Sequence, residues 1–328
     1  MGREVEHATG LSVRPLLMQE TLPLLVEPLD RTRQDLSELH RLVDDQLHET
    51  GALLLRGFDV LGEHAFQALV RGFGHELLNY EFGSTPRKAI EQGVYTSTEY
   101  PAHQTIPLHN EQSYTLQWPM KIWFHCVQPS AEGGETPIAD SRRIFQQLDP
   151  ALRQRFTDKR LMYVRNYGNG LDLSWEQAFN TEDRAVAEAY CRANSIAFEW
   201  KEDGELRTRQ VCQAVARHPK TQAWVWFNQA HLFHVSNLAP AIRESLMAVV
   251  DDDPLDLPRN VYYGDGSELE ESALDEIRGV LAENSVCFPW EKGDVLMLDN
   301  MLVAHGRASF KGPRQVIVAM AEPAQEQN

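Results

Sequence analysis

Two short segments far apart in the chain contain residues that could bind a metal ion. Residues 105–111 read TIPLHNE, and Pro107 disfavours a helix there, so the segment is predicted to be a strand. Residues two apart on a strand share a face, so His109 and Glu111 would point to the same side and could chelate one ion. The alternative is a surface or hydrogen-bonded His/Glu pair, because His-x-Glu is common by chance.

A third candidate ligand is His305, which follows a predicted strand over residues 295–298. Its small, apolar neighbours suit a neutral imidazole ligand, and they equally suit a histidine whose hydrogen bonds are satisfied in the core. Nine residues later, Arg314 shares one face of a predicted terminal strand with Val316 and Val318. An arginine buried among apolar residues requires an anion, and a guanidinium binds a carboxylate through two parallel hydrogen bonds. Arg314 is therefore predicted to anchor a dicarboxylate.

Together, His109, Glu111 and His305 match the two-histidine, one-carboxylate set that holds Fe(II) in non-heme oxygenases. A zinc hydrolase is disfavoured, because the sequence contains no closely spaced ligand motif such as HExxH. A jelly-roll module that binds a metal or a small anion without turnover is the alternative from another functional class.

These segments resemble the taurine dioxygenase/clavaminate synthase-like Fe(II)- and 2-oxoglutarate-dependent dioxygenases. Within that family the sequence is most similar to syringomycin-type amino-acid hydroxylases of nonribosomal peptide pathways. The similar segments are LHNEQSY at 108–114, GGETPIADSR at 133–142, WFNQAHLFHVSNL at 226–238, YGDGS at 263–267 and GDVLMLDNMLVAHGR at 293–307.

The resemblance implies a role for each matching residue. His109, Glu111 and His305 would hold iron on one face, Arg314 would bind the distal carboxylate of 2-oxoglutarate, and the hydroxyl of Thr136 would assist. The cofactors would be Fe(II), 2-oxoglutarate and O2, and the reaction would yield succinate, CO2 and a hydroxylated substrate.

The sequence departs from the family pattern at two positions. Gln315 stands where relatives often have a second basic residue, so Arg307 is the alternative to Arg314 as the anchor. Glu111 replaces the more common aspartate, as it does in the clavaminate synthase-like branch. Halogenating relatives lack this carboxylate, so Glu111 favours hydroxylation.

The resemblance also suggests a substrate. It favours an aspartyl-like amino acid tethered to a peptidyl carrier protein and hydroxylated at its β-carbon; a free amino acid or another small acid is the alternative. Asn228 and Tyr95 are candidate substrate-binding residues, although Asn228 follows aromatic residues typical of a core strand. The loop at 95–100 could be a lid or a plain surface loop. His231 and His234 are expected to be hydrogen-bonded residues beside the site.

The elements that must position these residues are mostly short strands interrupted by helices. The predicted helices cover residues 32–50, 63–73, 141–148, 181–193, 240–250 and 270–282, and the predicted strands cover 52–55, 122–127, 223–228, 285–288, 295–298 and 314–320. This pattern, without a βαβ rhythm, favours a mainly β fold with helical insertions, namely a double-stranded β-helix or jelly roll. One domain is expected over 1–328, with a helical N-terminal part over 1–75 and a jelly-roll core over 105–320.

The composition excludes several functional classes. Lys and Arg number 31 against 48 Asp and Glu, which gives a net charge of -17 that disfavours nucleic-acid and membrane partners. The four cysteines are too widely spaced for a zinc motif or a disulfide framework, so they are expected to be buried or incidental thiols. Because residues 1–15 are charged and lack an apolar run, a cytoplasmic location is expected.

Overall fold

The computed structural model describes residues 10–31, 36–78, 89–91, 93–96, 100–168, 170–202, 204–251 and 253–326. The predicted start of the first helix, at residues 32–35, lies outside the described residues, and so do residues 97–99 of the predicted loop.

The described strands, numbered along the chain, are β1 (Leu11–Pro15), β2 (Leu24–Pro28), β3 (Ala52–Leu55), β4 (Ala89–Glu91), β5 (Val94–Thr96), β6 (Ile106–His109), β7 (Gln117–Gln128), β8 (Glu132–Gly133), β9 (Ile138–Asp140), β10 (Leu161–Tyr167), β11 (Ala197–Trp200), β12 (Leu206–Cys212), β13 (Val215–Arg217), β14 (Trp224–Trp226), β15 (Arg259–Tyr263), β16 (Val295–Asp299), β17 (Val303–Arg307), β18 (Phe310–Lys311) and β19 (Gln315–Gln325).

The described α-helices are α1 (Leu36–Thr50), α2 (Glu63–Gly72), α3 (Ser141–Gln147), α4 (Pro150–Lys159), α5 (Trp175–Phe179), α6 (Arg184–Ala193), α7 (Ala230–Phe233), α8 (Pro240–Val249) and α9 (Glu271–Glu283). The six predicted helices are confirmed as α1, α2, α3, α6, α8 and α9. Their periodic apolar positions face the core: in α1, for example, Leu39, Val43 and Leu47 are buried.

Two sheets face each other around one apolar cluster. The larger has eight strands in the order β1-β2-β3-β16-β7-β19-β5-β4, and the smaller has three in the order β6-β17-β9. Phe124 and Val318 of the larger sheet meet Ile138 and Val303 of the smaller sheet in this cluster. The molecule is therefore built mainly from sheet, with helices outside, as expected.

Both faces of the smaller sheet are covered. Leu108 of β6 and Ala304 of β17 belong to a second cluster, which also contains buried residues of α3, α4 and α9. Because side chains alternate along a strand, Val303 and His305 point to the space between the sheets while Ala304 points to this second cluster. The smaller sheet thus holds His305 toward the interior.

The N-terminal part differs from the expectation of a helical region. Besides α1 and α2 it supplies β1, β2 and β3, which form one end of the larger sheet. Of these, β3 was predicted; β1 and β2 are only five residues long, and such short apolar runs give a weak periodic signal. The strand predicted at 285–288 is also wrong, because Val286 forms only a single bridge with Ile138.

The cysteine expectation is confirmed. Cys126, Cys191 and Cys212 are buried, Cys287 is exposed, and all four are free thiols. Burial raises the pKa of the Cys191 thiol to about 11, which makes it a poor nucleophile.

Candidate active site

His305 lies in the middle of the smaller sheet. Its strand, β17, pairs with β6 on one side, where His305 is opposite His109, and with β9 on the other, where it is opposite Ile138. Its ring lies 4.9 Å from that of Phe124 on the larger sheet, measured between centroids. The backbone of two neighbouring strands therefore fixes this imidazole inside the molecule.

His109, Glu111 and His305 form a group that could hold a metal ion. Each offers one ligand atom, and the three atoms lie within 4.8 Å of one another. The Nε2 atom of His305 lies 3.9 Å from Oε2 of Glu111, and the ring centroids of His109 and His305 are 4.6 Å apart. Two imidazole nitrogens and one carboxylate oxygen on one side of an ion, with its other positions open, suit Fe(II). The residues present therefore fit the metal that the sequence implies.

One ring nitrogen of His109 has a defined role in this group. Its Nδ1 lies 2.8 Å from the carbonyl oxygen of Pro107, which can only accept, so Nδ1 must carry the proton. The neutral ring then presents Nε2 as a lone-pair donor. Such a hydrogen bond orients a metal-binding histidine and increases its basicity.

Glu111 does not lie on a strand, as the sequence predicted, but on a turn. Strand β6 ends at His109, and Gln112 has a φ of 55°. The backbone N–H of Glu111 donates to Oδ1 of Asn300 at 2.7 Å, and its carbonyl accepts from Nδ2 of the same residue at 2.9 Å. A side-chain amide thus replaces the strand partner, and the turn brings the carboxylate to the histidines.

Arg314 lies just before β19, beside the segment that leads into β9. Its Nε donates to the carbonyl oxygen of Gly134 at 2.8 Å. Burial lowers the pKa of Arg314 to about 10, and the positive charge of the nearby Arg307 contributes as the second cause. The φ of Gly134 is +77°, and a Cβ there would lie 3.0 Å from Cδ of Arg314, so glycine permits this approach. A bound carboxylate would offset both unfavourable effects on the guanidinium charge.

Thr136 lies two residues after Gly134 and is buried. Its Oγ1 accepts a hydrogen bond from Nε1 of Trp290 at 3.3 Å, so its own proton can be donated elsewhere. The same segment continues into β9, where Ile138 pairs with His305. Residues 134–138 therefore connect the Arg314 side of the site to the metal ligands.

Arg307, the alternative anchor, is occupied by backbone groups. Its guanidinium donates to the carbonyl oxygens of Tyr100, Pro101 and Gln104 at 2.8–2.9 Å. These bonds hold the loop that precedes β6. Arg314 therefore stays the predicted anchor for a dicarboxylate, and Arg307 has a structural role in that loop.

The two candidate substrate-binding residues lie in different surroundings. The amide of Asn228 donates to the carbonyl of Ala214 at 2.7 Å and accepts from the N–H of Ala230 at 3.0 Å. Tyr95 is buried on β5, where it pairs with Val318 and belongs to the cluster between the sheets. Their roles toward a substrate stay predictions, and the bonds of Asn228 to the backbone indicate a structural role as well.

His231 and His234 are hydrogen-bonded, as expected. The Nε2 of His231 donates to the carbonyl of Leu108 at 2.8 Å, and Nδ1 of His234 lies 2.8 Å from Oγ of Ser236. Burial lowers the pKa of both imidazoles to about 4, so both are neutral at pH 7. His231 supports the strand that ends at His109.

Sequence reasoning missed two groups that shape the site. One is Asn300, described above. The other is a buried pair in which Nε2 of His218 donates to Oδ2 of Asp299 at 2.9 Å. The second oxygen of Asp299 accepts from the N–H groups of Met301 and Leu302, which shapes the turn before β17. The available signal was the polar pair Asp299–Asn300 between two apolar runs.

Among the helices that the structure describes, none has the length and apolar character needed to cross a membrane.

Comparison with known proteins shows the family of the chain. The model of the taurine catabolism dioxygenase TauD, TfdA family matches residues 20–320. The dapdiamide synthesis protein DdaC of Enterobacter agglomerans is 45% identical over 284 residues, which cover 87% of this chain and 86% of that protein. A clavaminate synthase-like protein of Arabidopsis thaliana is 31% identical over 316 residues, covering 92% of this chain and 91% of that protein.

A solved structure shows the same fold. PvcB of Pseudomonas aeruginosa superimposes with a TM-score of 0.59 at 17% identity, covering 98% of this chain and 95% of that chain. PvcB is described as an Fe, alpha-ketoglutarate dependent oxygenase from an isonitrile synthetic pathway. The resemblance found in the motifs is thus confirmed: the chain belongs to the TauD, TfdA family and is a non-heme iron dioxygenase that uses Fe(II), 2-oxoglutarate and O2.

Proposed function

We propose that this dioxygenase hydroxylates an amino acid in natural-product biosynthesis, and that its substrate is an aspartyl-like residue tethered to a peptidyl carrier protein. The observation on which the proposal depends is the convergence of His109, Glu111 and His305 on one point inside the molecule. The similarity to a dapdiamide synthesis protein supports the biosynthetic setting.

In this proposal His109, Glu111 and His305 hold Fe(II). When bound, iron and 2-oxoglutarate supply the oxidising chemistry, in which O2 converts 2-oxoglutarate to succinate and CO2 while a substrate C–H bond becomes C–OH. Arg314 binds the distal carboxylate of 2-oxoglutarate, since a guanidinium forms paired hydrogen bonds with a carboxylate. The hydroxyl of Thr136 donates a hydrogen bond to the same ligand.

We infer that the two facing sheets form a double-stranded β-helix. The support is the smaller sheet β6-β17-β9, which packs on the inner face of the larger sheet through a shared apolar cluster. In this arrangement the metal ligands lie between the sheets, where apolar side chains such as Phe124 limit access of water. Exclusion of water protects a reactive site from side reactions.

A cavity beside the metal-binding turn could take the substrate. Its volume is about 550 Å³, within the usual range for small-molecule sites. Gln112, which directly follows Glu111, lines it together with Gln210 of β12, Asn194 and the ring of Trp118. The lining also includes the carboxylate of Glu76, and the amide nitrogens of Asn194 and Gln210 donate to backbone carbonyls. The preference for a tethered substrate over a free small acid comes from the resemblance in the sequence motifs.

The test compares tethered and free substrate. The protein is incubated with Fe(II), 2-oxoglutarate, O2 and an aspartyl carrier protein, and succinate is measured together with the intact mass of the carrier. We expect succinate formation that depends on the loaded carrier and a mass gain of one oxygen atom. Free aspartate at the same concentration is the matched control.

Two outcomes would contradict this proposal. Oxygen transfer to free aspartate alone would favour the alternative, a hydroxylase of a free amino acid or small acid. Succinate formation with no oxygen transfer to any amino acid would contradict amino-acid hydroxylation itself. The cytoplasmic location and the exclusion of nucleic-acid partners stay predictions from the sequence.

A further inference from the structure

The turn that contains Glu111 is held by the side chain of one distant residue. Asn300 bonds both backbone groups of Glu111, and its Nδ2 also donates to the carbonyl of Pro119 at 2.8 Å. The Asn300 side chain is fully buried. One amide therefore satisfies three backbone groups on the two sides of the metal-binding turn, at Glu111 and at the start of β7.

Asn300 is itself held in place by Asn110, which lies between His109 and Glu111. The backbone carbonyl oxygen of Asn300 accepts from Nδ2 of Asn110 at 2.6 Å. The same Nδ2 donates to Oγ of Ser141, the first residue of α3, at 3.1 Å. The carbonyl of Asn110 accepts from Nε2 of Gln229 at 2.8 Å. These amides connect the turn to the segment that leads into β17, and hence to His305.

We propose that Asn300 is a positioning residue that aims the carboxylate of Glu111 at the metal. The φ and ψ angles of Glu111 determine where its side chain points, and in this turn the Asn300 amide restrains them. Without the amide, two buried backbone groups of Glu111 lose their partners, and the turn must rearrange to satisfy them. The carboxylate then no longer lies within 4.8 Å of both imidazole nitrogens, as it does in the intact group.

This inference concerns the metal centre of the proposed function, and outer contacts of metal ligands commonly change metal affinity 10- to 100-fold. A structural role alone would lower stability without changing the ligand geometry. A second buried asparagine allows the two roles to be separated. The Nδ2 of Asn166 donates to the carbonyls of Leu255 and Leu257 at 2.8 and 2.6 Å, and its Oδ1 accepts from Arg207 at 2.8 Å.

Asn166 is therefore a matched control. It is as deeply buried as Asn300 and makes the same pattern of two donated bonds and one accepted bond, but it lies on β10 of the four-stranded sheet. Replacing either asparagine by alanine removes the same atoms and the same number of hydrogen bonds. Only Asn300 bonds to a candidate metal ligand.

The experiment uses Co(II) as the probe, with no substrate present. Affinity is measured by competition titration, ligand geometry by the visible absorption of bound Co(II), and stability by thermal unfolding of the metal-free protein. Asn300→Ala should weaken Co(II) binding by about 10- to 100-fold and alter the absorption spectrum. Asn166→Ala should lower the unfolding temperature while keeping wild-type affinity and spectrum.

A folded Asn300→Ala protein with wild-type affinity and spectrum would overturn the inference, as would an equal change in Asn166→Ala. If Asn300→Ala does not fold, Asn110→Ala decides: it should shift affinity and spectrum in the same direction by a smaller amount, and no shift would refute the role. Failure of wild-type protein to bind Co(II) would instead refute the metal centre. Failure of hydroxylation with intact Co(II) binding would refute only the proposed reaction.

Discussion

The two sides of the metal group are held by different kinds of interaction. His305 is central in a three-stranded sheet, so backbone hydrogen bonds from β6 and β9 determine its position. Glu111 lies on a turn, and the amide of Asn300 determines its position. The backbone hydrogen bonds between strands persist after most side-chain substitutions. The hydrogen bonds of the Asn300 amide, in contrast, are lost with a single substitution. The carboxylate should therefore be the ligand whose geometry depends most on residues elsewhere.

The Arg314 side of the site shows a third arrangement. There Nε of Arg314 donates a hydrogen bond to the carbonyl oxygen of Gly134. Because Gly134 has no side chain, it leaves space for the aliphatic part of the Arg314 side chain. Burial and a second cation lower the pKa of Arg314, so the site is electrostatically suited to an anion. The predicted metal ligands offer lone pairs and Arg314 offers positive charge, as the proposed role of Arg314 toward 2-oxoglutarate requires.

The largest effect is expected when the sheet-held ligand is removed. His305→Ala should lose most of the bound Fe(II), because only one imidazole and one carboxylate remain, while the strand pairing of β17 persists. Metal content of the purified protein and far-ultraviolet circular dichroism measure the two properties. One Fe(II) per chain together with full activity in this variant would refute the assignment of His305.

Removing the turn-held ligand should abolish hydroxylation with a milder loss of metal. Glu111→Gly deletes the carboxylate, while His109 and His305 can still bind iron weakly. Glycine also loosens the turn, so circular dichroism must accompany the measurement of succinate and product. A folded variant that hydroxylates at the wild-type rate would show that Glu111 is not a ligand.

Replacing Arg314, the predicted anion-binding residue, should change the 2-oxoglutarate requirement and leave the metal in place. A hydrogen bond to a charged group contributes about 1.5 to 3 kcal/mol, so Arg314→Ala should weaken the apparent affinity for 2-oxoglutarate by about one to two orders of magnitude. Lys311→Ala, which removes an exposed cation three residues away, is the control. An unchanged affinity in Arg314→Ala would transfer the role to Arg307.

The last effect is on stability in acid and not on activity, and it concerns the strand before the turn. Burial lowers the pKa of His231 to about 4. The imidazole therefore becomes protonated near pH 6.5 in the unfolded chain but only near pH 4 in the folded chain. His231 therefore does not lower the free energy of unfolding above pH 6.5. As the pH falls from 6.5 toward 4, protonation of the unfolded chain lowers that free energy by at most about 3 kcal/mol.

His231→Gln should flatten this dependence, since glutamine can still donate to the Leu108 carbonyl but does not titrate. The free energy of unfolding of metal-free protein, measured from pH 7 to pH 4, provides the comparison. The exposed His103→Gln is the control. Parallel curves for wild type and His231→Gln would show that His231 is not kept neutral by the fold.

Much of the architecture follows from local sequence pattern. The strand predicted at 52–55 coincides with β3, and the strands predicted at 122–127 and 295–298 lie within β7 and β16. Helix α3 begins at Ser141, as predicted from the apolar spacing. These elements contain enough periodic apolar residues to specify their faces. Short strands such as β1 and β5 do not, because their pairing partners in the larger sheet decide their conformation.

Residue types and spacing predicted that His109, Glu111 and His305 form one group, and the structure brings them together. The same reasoning predicts Arg314 as the anion anchor, because few chemistries require two imidazoles, a carboxylate and a buried cation together. Only the tertiary structure decided that Glu111 lies on a turn and that Arg307 bonds the loop before β6. The partner that holds the turn is 189 residues away in the chain, and no local pattern specifies such a contact. It forms only when folding brings the end of β16 beside the end of β6, and there the buried backbone groups of the turn must find partners.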